Sequence, residues 1–231
     1  MPSRRTFEPA FRSVIFDLDE TLIDSRPAWC YTLEETLMSI ANRRISAQPL
    51  AEEYQSRPWS ESLSILIDDP EELRQANKLC ERIAERSAMK KLLVFDGTGM
   101  ALDDIRGARL EIGAISRLPH AVALKQAQAT GLDRFLTVLS ATPSGLAWDP
   151  RARLTECLSY FGREPTSCLF VGASEHDIEQ AIQLGLMALQ AGWPHGLGER
   201  QAEGVGSPAA VVTKLLFGFE ADGLSRAANE G

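Results

Sequence analysis

Short apolar runs alternate with stretches of helical periodicity along most of the chain. Apolar runs of four to seven residues that end at a glycine, a serine or an acid are typical of strands covered on both faces. After a first strand and polar turn within 12–24, the pattern predicts strands at 110–116, 135–139, 168–171 and 186–189, and helices at 118–130, 151–161 and 174–184. This order predicts an α/β fold with a doubly wound parallel sheet.

The stretch 26–90 breaks this alternation, because it contains helical patterns at 28–41 and 71–89 and no convincing strand. A helical insert of this size directly after the first strand predicts a small second domain. We therefore expect an α/β core formed by 1–25 and 91–231 and a helical cap formed by 26–90. The glycine-bearing segment 94–98 is interpreted as a hinge between them.

The first predicted strand ends in two acids, and packing does not explain them. Residues 14–16 form an apolar run, which Asp17 and Asp19 follow. In an extended chain residues i and i+2 point the same way, and open α/β sheets bind ligands beyond the carboxyl ends of their strands. The pair therefore predicts a shared site, although an acidic turn explains these few residues equally well.

Composition excludes several functional classes. The chain has 231 residues, 44% of them hydrophobic, and a formal net charge of −8, which argues against non-specific nucleic-acid binding. No run approaches the roughly 18 apolar residues of a membrane helix. The amino terminus has no apolar segment of the kind found in signal peptides, and the four cysteines form no CxxC pair. We expect a cytoplasmic protein with reduced thiols and no membrane partner.

Two further strand ends extend the pattern. The strand predicted at 110–116 ends at Ser116, and the strand predicted at 168–171 leads into a glycine-started acidic segment, 172–178. The acidic pair, the helical insert, the serine and this last segment occur in an order that resembles the haloacid dehalogenase superfamily. The insert resembles the first-type cap of phosphoglycolate phosphatases and β-phosphoglucomutases.

The resemblance implies roles for particular side chains. Asp17 matches a nucleophile that forms an aspartyl phosphate, and Asp19 matches a general acid/base. Ser116 matches a hydroxyl that binds the phosphoryl oxygens, and Arg117 beside it is a candidate phosphate-binding cation. Thr21 matches a residue that supports the loop.

The resemblance also implies a magnesium ion held by Asp17, the carbonyl of Asp19 and an acid in the segment 172–177. The resemblance implies two aspartates in that segment. This chain has Ala173 at the position of the first one and keeps the second one, Asp177. We therefore expect Mg²⁺ as a cofactor with Asp17, Asp19 and Asp177 around it, bound more weakly than with a full set of ligands.

A lysine that the family places before this strand is also missing, since Trp148 stands where we would align it. That cation pairs with the nucleophile and the transferring phosphate. Arg151, Arg153 and Arg117 are candidates to replace it, although each alone is as readily explained as a solvated surface arginine.

Two hypotheses follow. The first is a phosphatase-type hydrolase of a small phosphorylated metabolite with weakened metal use. The second is a catalytically degenerate binding or regulatory protein on the same fold, which Trp148 and Ala173 together favour. Within the insert, Tyr54, Arg57 and Trp59 either face a substrate or pack within the helices. The sequence does not indicate the substrate or the oligomeric state.

Overall fold

The computed structural model describes residues 9–54, 59–143, 146–194 and 203–218. Its centre is a six-stranded sheet in the order β5-β4-β1-β6-β7-β8, and all neighbouring strands run parallel. A separate antiparallel pair joins β2 and β3. The strands are β1 Ser13–Asp17, β2 Ile23–Asp24, β3 Leu93–Val94, β4 Glu111–Pro119, β5 Val138–Thr142, β6 Cys168–Gly172, β7 Met187–Ala191 and β8 Glu203–Val205.

Nine α-helices occur within these described ranges. They are α1 Arg26–Ala41, α2 Gln48–Tyr54, α3 Trp59–Ser64, α4 Pro70–Arg86, α5 Thr98–Gly107, α6 His120–Ala129, α7 Pro150–Phe161, α8 Glu175–Gln183 and α9 Pro208–Phe217. The last five surround the parallel sheet, and the first four form a layer of their own.

Successive residues of the central strand pack on opposite faces of the sheet, as the pleat requires. Val14 and Phe16 belong to a core cluster with residues from α5, α6 and α9. Ile15 belongs to a second cluster with residues from α7 and α8. Helices therefore cover both faces, and the predicted doubly wound sheet is confirmed.

The helices α1 to α4 have a separate apolar cluster, in which Leu33, Leu37, Leu63 and Cys80 are fully buried. The layer is connected to the sheet through the β2–β3 pair, where Ile23 lies opposite Val94. The division of the chain into a core and a cap at residues 25 and 90 stays a prediction.

The strand predicted at 135–139 lies instead at β5, Val138–Thr142. Phe135 closes a 3₁₀ turn, Asp133–Phe135, and its ring packs against the guanidinium of Arg106 and that of Arg134. Phe135, the apolar residue from which the strand was predicted to start, therefore belongs to the turn, and the strand begins three residues later.

After residue 94, two helices and a strand of the parallel sheet were not predicted. The segment 94–98, which we interpreted as a hinge, contains Gly97. This glycine has a φ of +81° and caps α5, so a helix begins directly within the segment. The others are β8 and α9, whose residues Val211 and Leu215 are buried in the core.

No helix in the described ranges is long and apolar enough to cross a membrane. The four cysteines are free and buried. Burial raises the pKa of Cys157 and of Cys168 to about 12, so both thiols stay protonated at neutral pH.

A substitution at Gly113 in β4 can test how α7 packs on the sheet. A Cβ there would lie 2.9 Å from Cζ of Phe161 and 3.1 Å from Cγ1 of Val138. We expect Gly113→Ala to lower the free energy of unfolding in urea by about 1–2 kcal/mol. Gly107→Ala is the matched control, because nothing lies within 4 Å of its Cβ position. Equal stability of the two variants would contradict this packing.

Candidate active site

Asp17 lies at the carboxyl end of the central strand and is 3% exposed. Its Oδ1 is buried and makes no hydrogen bond to any described residue. The next residue, Leu18, donates its N–H to the carbonyl of Ile115 at 2.8 Å, which continues the β1–β4 pairing past the acid. The nucleophile predicted from the sequence is therefore held rigidly at the sheet edge.

Asp19 is bound by residues from the neighbouring strand. The hydroxyl of Ser116 donates to its Oδ2 at 2.7 Å, and the N–H of Arg117 donates to the same oxygen at 3.2 Å. The Ser116 hydroxyl in turn accepts from the N–H of Leu118 at 3.2 Å. The acid pair and the distant serine thus meet at one place, and the serine orients Asp19.

The turn that carries these acids is strained and anchored. Glu20 has a φ of +60°, in the left-handed region that costs a non-glycine residue of order 1 kcal/mol or more. Its N–H donates to the carbonyl of Ile23 at 3.0 Å. The indole of Trp193 donates to the carbonyl of Thr21 at 2.9 Å. Trp193 is far away in the sequence, and no motif indicated this anchor.

Asp177 is fully buried, and both of its carboxylate oxygens have donors. Nη2 of Arg117 lies 2.8 Å from Oδ2, and Nε1 of Trp148 lies 3.0 Å from Oδ1. The guanidinium carbon of Arg117 also lies 5.5 Å from the centre of the Trp148 ring. Trp148 therefore supplies a hydrogen-bond donor where the resemblance implies a lysine.

The other candidate cations point elsewhere or into solvent. Arg153 donates to the carbonyl of Ala141 at 3.1 Å and pairs with Glu156 at 2.7 Å. Arg151 is exposed to solvent. Two charged or polar residues at the start of α8, Glu175 and His176, are exposed as well. Among the three arginines, Arg117 is the one that the structure brings to the acids.

Burial raises the pKa of two of the acids, Asp17 and Asp19. Burial raises the pKa of Asp17 well above its ordinary value, and the charges of Asp19 and Asp177 raise it further against the opposing charge of Arg117. Burial also raises the pKa of Asp19, although the hydrogen bonds from Ser116 and Arg117 partly offset this.

A cavity of about 540 Å³ opens between the sheet edge and the helical layer. Asp17, Asp19 and Arg117 line one part of it, and Trp29 and Trp59 line another. The side chain of Tyr54 and the whole of Arg57 lie outside the described residues.

The model of the haloacid dehalogenase-like hydrolase family matches residues 14–191. The chain belongs to this family. The match begins in β1 and ends in β7, so it includes both acids, the helical layer and the segment that carries Asp177.

Individual proteins are similar to this chain over most of its length. Phosphoglycolate phosphatase of Synechococcus elongatus is 28% identical over 198 residues, which are 83% of this chain and 87% of that protein. Tyrosine-protein kinase PtkA of Mycobacterium tuberculosis is 27% identical over 186 residues, which are 79% of this chain but 62% of that protein. A subfamily IA hydrolase structure from Geobacter sulfurreducens has a TM-score of 0.78 at 20% identity, covering 91% of this chain and 99% of that one.

The described side chains do not supply the full set of magnesium ligands that the resemblance implies. Mg²⁺ demands near-octahedral oxygen ligands, but Ala173 offers no side-chain oxygen and both oxygens of Asp177 are taken by Arg117 and Trp148. The described ranges contain no group of three or more His, Cys, Asp or Glu residues that could hold a metal ion.

The raised pKa of Asp17 predicts a stability effect with a defined sign. The folded state binds the carboxyl proton of Asp17 more tightly than the unfolded state does. The protonated form therefore stabilises the fold at low pH, and this stabilisation is lost as pH rises from the ordinary aspartate pKa, about 3.9, through the raised value. We expect Asp17→Asn to raise the free energy of unfolding by about 1–2 kcal/mol at pH 7 and by less near pH 4.

Urea unfolding at the two pH values measures this effect, with Asp104→Asn on an exposed position as the control, expected to stay within about 0.5 kcal/mol. A destabilised Asp17→Asn variant at pH 7 would show that the buried carboxylate is not a source of strain.

Proposed function

We propose that this protein hydrolyses monophosphate esters of small metabolites. The observation that carries the proposal is the meeting of Asp17 and Asp19 with Ser116 and Arg117 at one end of an enclosed cavity. Membership of a hydrolase family and the relative named phosphoglycolate phosphatase support the same chemistry.

In the first step a carboxylate oxygen of Asp17 attacks phosphorus, and the bond from phosphorus to the ester oxygen breaks. Asp19 gives its proton to the departing oxygen, which leaves as an alcohol. Since Oδ2 of Asp19 accepts two hydrogen bonds, the proton is on Oδ1. The raised pKa of Asp19 favours this protonated form.

In the second step Asp19, now a carboxylate, takes a proton from water as the water oxygen attacks phosphorus. The bond from phosphorus to Asp17 breaks, inorganic phosphate leaves, and both acids return to their starting states. Ser116 is a positioning residue here, because its hydroxyl acts on the reaction through Asp19. Direct contact between Ser116 and the phosphate stays a prediction.

The transferring group carries negative charge into a site that already holds three acids. Arg117 is the compensating cation in this proposal, because its guanidinium is fixed by Asp177 and by the ring of Trp148. The charges of Asp177 and Asp17 raise the pKa of Arg117 more than burial lowers it, so it stays charged throughout. No step of this mechanism passes through a metal ion.

We further propose that the helical layer acts as the predicted cap. Trp29 on α1 and Ala88 after α4 line the cavity opposite the acids, so the layer closes the site from above. Closure would hold the substrate against the acids and, by excluding bulk water, strengthen the charge interactions in the site.

Phosphate release from a panel of small phosphate esters tests the hydrolase proposal. We expect turnover by the wild-type protein and its loss, by at least about a thousandfold, in Asp17→Asn, because the amide cannot form the aspartyl phosphate. Absence of turnover together with binding of inorganic phosphate would support the alternative, a degenerate binding protein, and would end the hydrolase proposal.

Metal use and the role of Arg117 form a separate test. We expect kcat/KM to change less than twofold on addition of a chelator, and Arg117→Ala to lower it about a hundredfold. Arg117→Ala leaves the buried carboxylate of Asp177 with one donor fewer, so this variant could lose activity simply because it unfolds. The double variant Arg117→Ala/Asp177→Ala removes that unpaired acid, and we expect it to regain thermal stability but not activity. Arg151→Ala, at an exposed position, should match the wild type. Loss of activity with chelator and recovery with Mg²⁺ would contradict this assignment.

A further inference from the structure

The cavity is much larger than its acidic end requires. Its volume of about 540 Å³ lies in the range of sites that enclose drug-sized ligands. A two-carbon leaving group such as glycolate would occupy a small part of it. The walls away from the acids therefore indicate what else the site encloses.

These walls are apolar and partly aromatic. The rings of Trp29 and Trp59 stack with centroids 5.7 Å apart and planes 16° from parallel. Met89 and Leu92 line the same side, and Leu118 and Val122 line the side formed by the core. Such walls favour a flat apolar group, which gains from burial and from contact with the indole faces.

The charges in the cavity disfavour a second anionic group on the substrate. Among the described lining residues Asp17, Asp19 and Glu20 are acids, and Arg117 is the one cation. Its guanidinium already pairs with Asp177 and is the cation that faces the phosphoryl group in the proposed mechanism. A carboxylate on the leaving group would therefore be repelled by the net negative charge of these residues, and none of them offers a cation that is not already paired.

Resting on the proposed hydrolase function, we propose that the substrate is the phosphate monoester of an uncharged aromatic alcohol. The ring packs between the indoles of the cap and Leu118 and Val122, and the phosphoryl group faces Asp17 and Arg117. The leaving group is then a phenol-type hydroxyl, which departs with the proton from Asp19.

Binding of two non-hydrolysable phosphonates tests this substrate class without requiring turnover. Phenylphosphonate carries a neutral ring, and phosphonoacetate carries a second anionic group. We expect isothermal titration to give phenylphosphonate a Kd at least tenfold lower. Equal or tighter binding of phosphonoacetate would overturn the proposal, even if the protein proves to be an active phosphatase.

Turnover gives the second measurement, with phenyl phosphate, 4-carboxyphenyl phosphate and 2-phosphoglycolate as substrates. We expect kcat/KM to be highest for phenyl phosphate, at least tenfold above either carboxylated ester. If no ester is hydrolysed but phenylphosphonate still binds more tightly, the hydrolase function fails and the ligand class stands. Hydrolysis led by 2-phosphoglycolate overturns the ligand class and leaves the hydrolase function intact.

Two variants locate the ring site. Trp29→Leu keeps an apolar side chain but removes the ring, and we expect it to raise KM for phenyl phosphate about fivefold while leaving KM for 2-phosphoglycolate within twofold. Val122→Lys adds a cation to the wall and should shift binding towards phosphonoacetate at least tenfold. Unchanged ligand preference in both variants would place the leaving group elsewhere and overturn the proposal.

Discussion

The structure of this site depends on one guanidinium among buried carboxylates. Asp17, Asp19 and Asp177 lie at the carboxyl edge of the sheet. Burial there disfavours the negative charges of Asp17 and Asp19, and the charges of Asp19 and Asp177 further disfavour that of Asp17. Arg117 pairs with Asp177 and lowers the pKa of Asp17 against these effects. Because like charges in a low dielectric repel strongly, the position of this one side chain decides whether the acids are usable at neutral pH.

Backbone register places that guanidinium. The β1–β4 pairing sets Asp17 opposite Ile115, so the next residues of β4, Ser116 and Arg117, reach Asp19 with a hydroxyl and an N–H. The side chain of Arg117 then extends to Asp177, which lies in the first turn of α8, the helix that follows β6. The strand order β4-β1-β6 is therefore what allows three distant segments to share one site.

Two positions differ from what the resemblance implies. An acid is implied at position 173 and a lysine near position 148, and this chain has alanine and tryptophan there. In the structure the carboxylate of Asp177 is shared by the indole of Trp148 and the guanidinium of Arg117. The result is a site in which a side chain holds the positive charge, and in which the helical layer above it contributes mainly apolar surface.

The sequence by itself determined the layers and the acidic edge. The apolar run before Asp17 and Asp19 needs cover on both faces, and a run of this kind allows little besides a central parallel strand. The alternating segments after residue 90 determined the doubly wound sheet for the same reason, and the order of motifs determined the family. Local pattern misplaced the strand at Val138–Thr142, because an apolar residue before it belongs to a turn, and it missed α5, β8 and α9.

Only the tertiary structure decided which side chains meet. The roles of Trp148 and Trp193 depend on contacts between segments far apart in the sequence, and a hydrophobic period carries no information about them. The choice of Arg117 over the other arginines depends on its direction from the end of β4. The cavity likewise exists only because two separately packed layers face each other, since neither layer encloses it alone.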